Sequence, residues 1–388
     1  MGIIYSGRRF MTVCFFGTYN ANYSRNSSLR MGLIKNGVTV REVHFEIPNL
    51  VLETSSDLTI TKSVYRILRK LKAYLYLISK SKVVFSCQYI FVLHPGHLDL
   101  PLAWLLSKLG GKKLFFDDSI SPYDTMFIGR SIALRKSIVA GLIKNIEKIL
   151  LLLPDKIIVD TNLMKKFVTD EFGVDKNKVF VVPLGANNLI YHPEPANSGR
   201  QISVNSGKNG KVKVFFFGLY NPMHGANYIM EAIKLLKNEK NLDFTLLGKG
   251  YLKEVLENYA RKNHLGNVRF TGFVPEEELV RRINDSDIVL GVFSNSALFH
   301  RVIPNKIFAA LATRKPLITA RLKVMEEFLK HKENVYFCQP ENPQDLASAI
   351  KAVSTDTPLR LKLAENGYKL YKRLFTPEVI GRTVISHL

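Results

Sequence analysis

The chain has 388 residues, 46% of them hydrophobic and 23% charged. That length suggests about two domains of roughly 100–200 residues each, and the apolar share excludes a disordered or collagen-like polymer. Lys and Arg number 55 against 33 Asp and Glu, and the net charge of +22 is shared by both halves, which favours anionic partners (nucleotides, phospholipid surfaces, nucleic acid) without choosing among them.

Cys14, Cys87 and Cys338 lie far apart and form no metal-ligand spacing. This excludes a disulfide scaffold or zinc ribbon and fits a reducing compartment. Clean apolar runs such as Ile149–Leu153 fall far short of the roughly 20 residues a bilayer span needs. The N-terminus lacks the basic-then-apolar order of a secretory signal. The expected location is therefore cytoplasmic.

Short β-type runs alternate with helical stretches. The first half predicts strands at Met11–Gly17, Thr39–Phe45, Tyr89–Leu93, Lys113–Asp117, Lys156–Asp160 and Lys178–Pro183. Two stretches stand apart. Residues 62–82 mix seven Lys/Arg with Tyr, Leu and Ile at near-helical spacing, and residues 130–153 repeat the style. Such a helix either lies on an anionic membrane surface, at about 1 kcal/mol per nearby Lys or Arg, or is a domain helix with a solvated basic face. Residues 193–212 are rich in Ser, Asn and Gly without apolar periodicity, which reads as a linker. The second half predicts strands at Lys213–Gly218, Asp243–Gly248, Arg269–Thr271, Asp287–Gly291, Pro316–Thr319 and Asn334–Phe337.

Most of these strands are continuous apolar runs, the pattern of a parallel sheet covered on both faces by helices. Strand and helix alternation implies right-handed βαβ units. The expected fold is α/β: two doubly wound domains, residues 1–192 and 213–375, facing a cleft. Residues 376–388 are expected to form a C-terminal helix that packs back on the first domain. Doubly wound sheets bind ligands beyond the carboxyl ends of their strands.

Four strand ends in the second half carry anion-site signals. Gly218 ends a strand and Gly225 opens an amphipathic helix, with His224 before it as a donor; a helix N-terminus offers free N–H groups and partial positive charge to a phosphate. Gly248 and Gly250 allow close backbone approach, and Lys249 between them can face a phosphate. Gly272, Phe273 and Val274 can present backbone groups to a base; the glutamates after Pro275 suit a helix N-terminus. Pro304 and Asn305 break the chain, and Arg301 and Lys306 converge near the next helix start.

Taken in order, FFGL…HG…EAIKLL, LLGKG, VRFTGFVP, SDIVLGVF and RVIPNKIFAALATRKPLITA resemble the nucleotide-sugar domain of family 4 retaining glycosyltransferases, which have the two-Rossmann (GT-B) fold. The resemblance covers residues 211–375, and FFGTYNANYSRN, HPGHLDLPLA, FDDSISPYDT and VVPLGAN support it in the first half. It implies a nucleoside-diphosphate sugar as co-substrate, no other cofactor and no metal. Residues 1–192 would bind the acceptor and 213–375 the donor. Gly218, His224, Gly225, Gly248, Lys249, Gly250 and Lys306 would surround the diphosphate, with Gly17 also facing the donor. Gly272, Phe273 and Val274 would face the base, and Arg301, Pro304 and Asn305 the sugar. In the first half Asp124 and His97 are the catalytic candidates, and Tyr19, Arg25, Asp99 and Tyr123 the acceptor contacts. Asp117–Asp118 reads as a strand-end pair, not a metal site.

The implied reaction is metal-independent transfer of a hexosyl group to a glycan or lipid-linked acceptor for polysaccharide synthesis, at the cytoplasmic face of a membrane. Nucleic acid is not an expected partner. There are departures: Leu219 and His224 stand where relatives carry an Arg/Lys clamp, Arg301 and Ala309 stand at the places of a paired-Glu motif, and Arg314 stands where Gly is usual. Ala309 cannot accept a ribose hydrogen bond, so altered donor binding is expected. The alternative is a catalytically impaired GT-B homologue acting as a binding or scaffold partner.

Overall fold

A computed structural model describes residues 11–47, 60–128, 137–194 and 210–388. Parts of three expected segments lie outside these residues: the N-terminal stretch at 1–10, the start of the second basic stretch at 130–136, and the linker at 195–209. Two compact units divide the chain, Met1–Pro183 with Pro377–Leu388, and Leu184–Thr376.

All twelve expected strands are present, with no end moved by more than two residues. The N-terminal unit has β1 (Thr12–Gly17), β2 (Thr39–His44), β3 (Tyr89–Val92), β4 (Lys113–Asp117), β5 (Lys156–Val159) and β6 (Val179–Val181). They form one sheet in the order β2-β1-β3-β4-β5-β6, and every pair is parallel. The C-terminal unit has β7 (Val212–Leu219), β8 (Leu242–Lys249), β9 (Val268–Thr271), β10 (Ile288–Leu290), β11 (Leu317–Ala320) and β12 (Tyr336–Cys338). Their order is β12-β11-β10-β7-β8-β9, again all parallel.

Helices cover both sheets. In the first unit they are α1 (Ser24–Lys35), α2 (Ile60–Ser79), α3 (Ser81–Phe85), α4 (Leu100–Gly110), α5 (Ile138–Leu152) and α6 (Asn162–Phe172). In the second they are α7 (Ala226–Leu235), α8 (Lys253–Lys262), α9 (Glu276–Asn284), α10 (Asn305–Ala312), α11 (Pro343–Thr355) and α12 (Thr357–Leu374). Local chemistry sets their ends. Thr161 accepts the Met164 N–H at 2.9 Å to start α6, and Gly173 in the left-handed region stops it.

The apolar runs are buried for the reason the sequence suggests: helices lie on both faces. Phe15, Phe16, Phe91, Phe115 and Phe116 are all fully buried, and the Phe91 and Phe115 rings stack at 4.7 Å. Each such side chain contributes roughly 1.5–3 kcal/mol on burial. The exception is edge strand β2, whose Thr39, Arg41 and Glu42 face solvent; charge on an edge discourages strand addition.

The last helix, α13 (Pro377–Ile385), belongs to the N-terminal unit and lies on α1. Two glycines permit the contact, since a Cβ on Gly381 would sit 2.1 Å from the Gly32 carbonyl oxygen. Asn36 donates to the Glu378 carbonyl at 2.9 Å and locks the pair.

Candidate functional site

In each sheet the strand order reverses at one point, where chains leaving neighbouring strands diverge and open a crevice. In the C-terminal unit that point lies between β7 and β10. Gly218, the penultimate residue of β7, adopts φ 144°, and Gly225 caps α7 at φ 73°; both are backbone states that side chains resist. Between them Asn221 accepts the His224 N–H at 3.1 Å. The loop presses on the chain after β10: the Phe293 N–H donates to the His224 carbonyl at 3.2 Å, and Ser294 Oγ donates to the Met223 carbonyl.

Lys306, near the start of α10, points into this crevice and is only 5% exposed. Its Nζ lies within hydrogen-bond distance of His224 Nδ1 at 3.2 Å and donates to the Gly291 carbonyl at 3.3 Å, and it stands 3.9 Å over the Phe216 ring. A Cβ on Gly218 would come within 2.9 Å of both Lys306 Nζ and His224 Nδ1. Among the described residues no carboxylate pairs with Lys306. Burial holds its amine well below the usual lysine range. Burial first, and the Lys306 charge second, push His224 down and keep it neutral. A buried cation surrounded only by neutral groups is costly unless an anion completes the site.

The other expected donor contacts sort as follows. Lys249 lies 5.5 Å from the ring of Phe273, which is strongly exposed, whereas Gly272 has open space around it. Pro304 precedes α10 in extended conformation, and Asn305 Oδ1 is buried without a hydrogen-bond partner. Arg301 follows the short turn Ala297–His300. Ala309 is buried. Arg314 adopts φ 56°, which accounts for the usual glycine there, and pairs with Glu365.

The N-terminal crevice lies between β1 and β3. Gly17 at φ 126° brings Thr18 onto Asp99, whose carboxylate accepts the Thr18 N–H at 2.7 Å. Lys70 of α2, absent from the sequence reading as a site residue, donates to Asp99 Oδ1 and Thr18 Oγ1, both at 2.7 Å. Tyr19 is buried and donates to Glu42 at 2.9 Å. Arg25 is fully buried, paired with Asp117 at 2.8 Å, and donates to the Val182 and Pro183 carbonyls. Tyr123 packs inside the core beside Phe127 and Phe172. Arg25 and Tyr123 thus have interior partners. Asp124 is buried, its N–H held by Ser121 Oγ at 3.1 Å.

His97 meets two acids. Its Nε2 lies 3.1 Å from Asp118 Oδ1 and 3.9 Å from Glu147 Oε1. Asp118 follows β4, and Glu147 comes from α5. Sequence reading left Asp118 outside the site and did not single out Glu147. Asp160, after β5, is a third buried acid that it missed. Burial raises the Asp160 carboxyl to about 8, and among the described residues neither oxygen has a hydrogen-bond partner.

Two six-stranded parallel sheets, one of them wound in dinucleotide-domain order, define an α/β protein of the GT-B glycosyltransferase fold. Sucrose-phosphate synthase from Thermosynechococcus elongatus superposes at a TM-score of 0.70, with 15% identity over 98% of each chain. Anabaena HepE in complex with UDP superposes at 0.69, with 15% identity over 97% of this chain and 99% of that one.

In sequence, residues 199–370 match the model of the family described as glycosyl transferases group 1. The uncharacterized glycosyltransferase MJ1178 of Methanocaldococcus jannaschii is 26% identical over 56% of this chain and 55% of its own length. The probable glycosyltransferase WbjE of Pseudomonas aeruginosa is 23% identical over 67% of this chain and 64% of its own. The matched stretch therefore spans little more than half the length of these relatives.

Proposed function

We propose that this chain is a retaining glycosyltransferase that moves a hexosyl group from a nucleoside-diphosphate sugar to a glycan or lipid-linked acceptor at the cytoplasmic face of a membrane. The observation that carries the reading is Lys306: a buried amine beside Gly218 and His224, with no carboxylate to neutralise it among the described residues. A diphosphate supplies the missing charge. The start of α7, opened by Gly225, adds amide donors and the positive end of a helix dipole. The likeness to glycosyltransferases, and the binding of UDP and UDP-glucose by HepE, support a nucleotide sugar as the ligand.

In the reaction the bond from the sugar's anomeric carbon to the diphosphate oxygen breaks as the bond to the acceptor oxygen forms on the same face. The departing phosphate takes the acceptor proton. Lys306 stabilises the charge growing on the leaving group, the task for which preorganised donors matter most; this is why the proposed transfer runs without a metal on the diphosphate. Arg301 and Asn305 flank the sugar, and Gly272–Val274 the base. His97 and Asp124 are the proposed acceptor-side groups.

The membrane part rests on α2 and α5. Ile67, Leu68, Leu71, Leu75 and Ile78 of α2 are exposed beside Lys72, and Leu142, Ile146 and Ile149 of α5 beside Lys148. An apolar stripe flanked by cations suits an anionic bilayer surface. No helix among the described residues is long and apolar enough to cross a membrane.

Calorimetric titration with UDP, GDP, ADP, dTDP and their glucose conjugates tests the donor site, followed by anomer assignment of product by NMR. At least one nucleotide is expected to bind, with the donor's anomeric configuration kept in product. If none binds, the reading fails. Flotation with phosphatidylglycerol vesicles tests the surface: L71E/L75E is expected to lose binding.

A further inference from the structure

The geometry points to a binding site for one divalent transition-metal ion inside the N-terminal unit, formed by His97 Nε2 and the carboxylates of Asp118 and Glu147. The three side chains come from separate elements: the turn after β3, the end of β4, and the middle of α5. One ligand atom from each lies within 4.8 Å of the other two, and all three residues are buried. A cation about 2.0–2.2 Å from nitrogen and oxygen ligands places neighbouring ligand atoms roughly 3–3.5 Å apart. Of the two separations from His97, 3.1 Å already lies in that range and 3.9 Å needs only a small side-chain adjustment to reach it.

A second observation concerns their partners. His97 Nε2, both oxygens of Asp118 and Glu147 Oε1 are shielded from solvent, and beyond the 3.1 Å approach of His97 to Asp118 Oδ1 none has a hydrogen-bond partner among the described residues. Buried polar atoms converging on one spot with so few partners are costly unless something binds them. Charge points the same way. With both carboxylates ionised, a proton on His97 leaves the trio at −1, whereas a divalent ion with neutral imidazole brings it to zero. Neighbouring cations are committed elsewhere, Arg25 to Asp117 at 2.8 Å and Lys144 to Glu171 at 2.6 Å.

The surroundings hold the ligands in place, as outer contacts of metal sites do. The Tyr123 N–H donates to Glu147 Oε2 at 2.8 Å, which leaves Oε1 to face His97. The Asp118 N–H donates to the Ile158 carbonyl at 2.8 Å. The His97 ring stands edge-on to Phe116 at 4.8 Å. One imidazole with two carboxylates suits Zn²⁺, Mn²⁺ or Fe²⁺ better than Cu⁺. The site uses no residue of the donor crevice, and it gives His97 the role of a metal ligand in place of an acceptor contact.

The test is a titration of the chelator-treated full chain with Zn²⁺ and, separately, Co²⁺. The expected result is one equivalent bound per chain, a raised thermal midpoint, and a ligand-field absorption band with Co²⁺ that Zn²⁺ removes. D118N and E147Q should weaken binding by about 10- to 100-fold or more, while H300A, at an exposed histidine, should leave it unchanged. Absence of stoichiometric binding by the unaltered chain, or equal binding by D118N and E147Q, overturns the site. Should either variant fail to fold, the Co²⁺ spectrum of the unaltered protein decides: a spectrum matching free aqueous Co²⁺ refutes it.

Discussion

Lys306 Nζ and His224 Nδ1 lie 3.2 Å apart, and each would touch a side chain on Gly218 within 2.9 Å. The amine and the imidazole thus share the space that a β-carbon would fill, and both depend on its absence. K306M keeps the stem and removes the charge. Nucleotide binding is expected to weaken by about 1.5–3 kcal/mol, the worth of a hydrogen bond to a charged group. The thermal midpoint is expected to hold or rise, because a desolvated buried amine is replaced by an apolar side chain of similar shape. Calorimetry and thermal denaturation on the same preparation check both; a variant with unchanged nucleotide affinity contradicts the assignment.

Proton linkage gives a second handle on the same amine. Burial holds Lys306 below its unfolded range, so over the interval between the folded and unfolded values the unfolded chain carries more protons. Stability attributable to this residue therefore rises with pH across that interval. A bound diphosphate favours the charged amine, so binding takes up a proton and weakens as pH rises. Calorimetry in buffers of different ionisation enthalpy should show net proton uptake for the native chain and none for K306M.

Gly248 pairs in register with Gly218, and a Cβ there would lie 1.9 Å from the Gly218 carbonyl oxygen. Backbone must move to relieve that contact, and the loop that moves is the one carrying Gly218. G248A is expected to cost about 1–3 kcal/mol of stability and to weaken nucleotide binding together with it. G272A meets nothing within 4 Å and should leave stability unchanged. Chemical denaturation of the two variants side by side separates a crowded glycine from an uncrowded one.

The strands and the loops that line the crevice between β7 and β10 were legible in sequence because their signals are local. A continuous apolar run ending in glycine states both the strand and the turn, and the Lys306 helix follows its Pro304 break directly. The N-terminal polar network was less legible because its pairs are tertiary: Arg25 and Asp117 stand 92 positions apart. Arg25 and Tyr123 look like loop residues free to meet an acceptor, yet one is sealed on Asp117 and the other packs in the core. One clue to Glu147 was available. The buried positions of α5 are Ala140, Glu147 and Leu151, a helical spacing that sets the glutamate on the inward stripe. Asp117 and Asp160 also end apolar strands with a charge, which a packed core does not require.

Asp160 offers a prediction that tests the buried acids directly. Burial raises its carboxyl to about 8, while an unfolded aspartate loses its proton near 4. Between those values the folded chain holds a proton that the unfolded chain has released, so this residue lowers stability as pH rises, by about 1.4 kcal/mol per unit at most. D160N removes the dependence while keeping the shape. The sole tryptophan, Trp104, lies on α4 in the same unit as Asp160, so its fluorescence reports unfolding of the relevant half. In urea titrations with chelator present, the midpoints of D160N and the native chain should lie closest near pH 4, where the unfolded aspartate begins to ionise. The variant should gain steadily toward pH 8. A difference that stays constant across that range would mean the carboxyl already ionises near pH 4, held by the Arg25 charge against its burial.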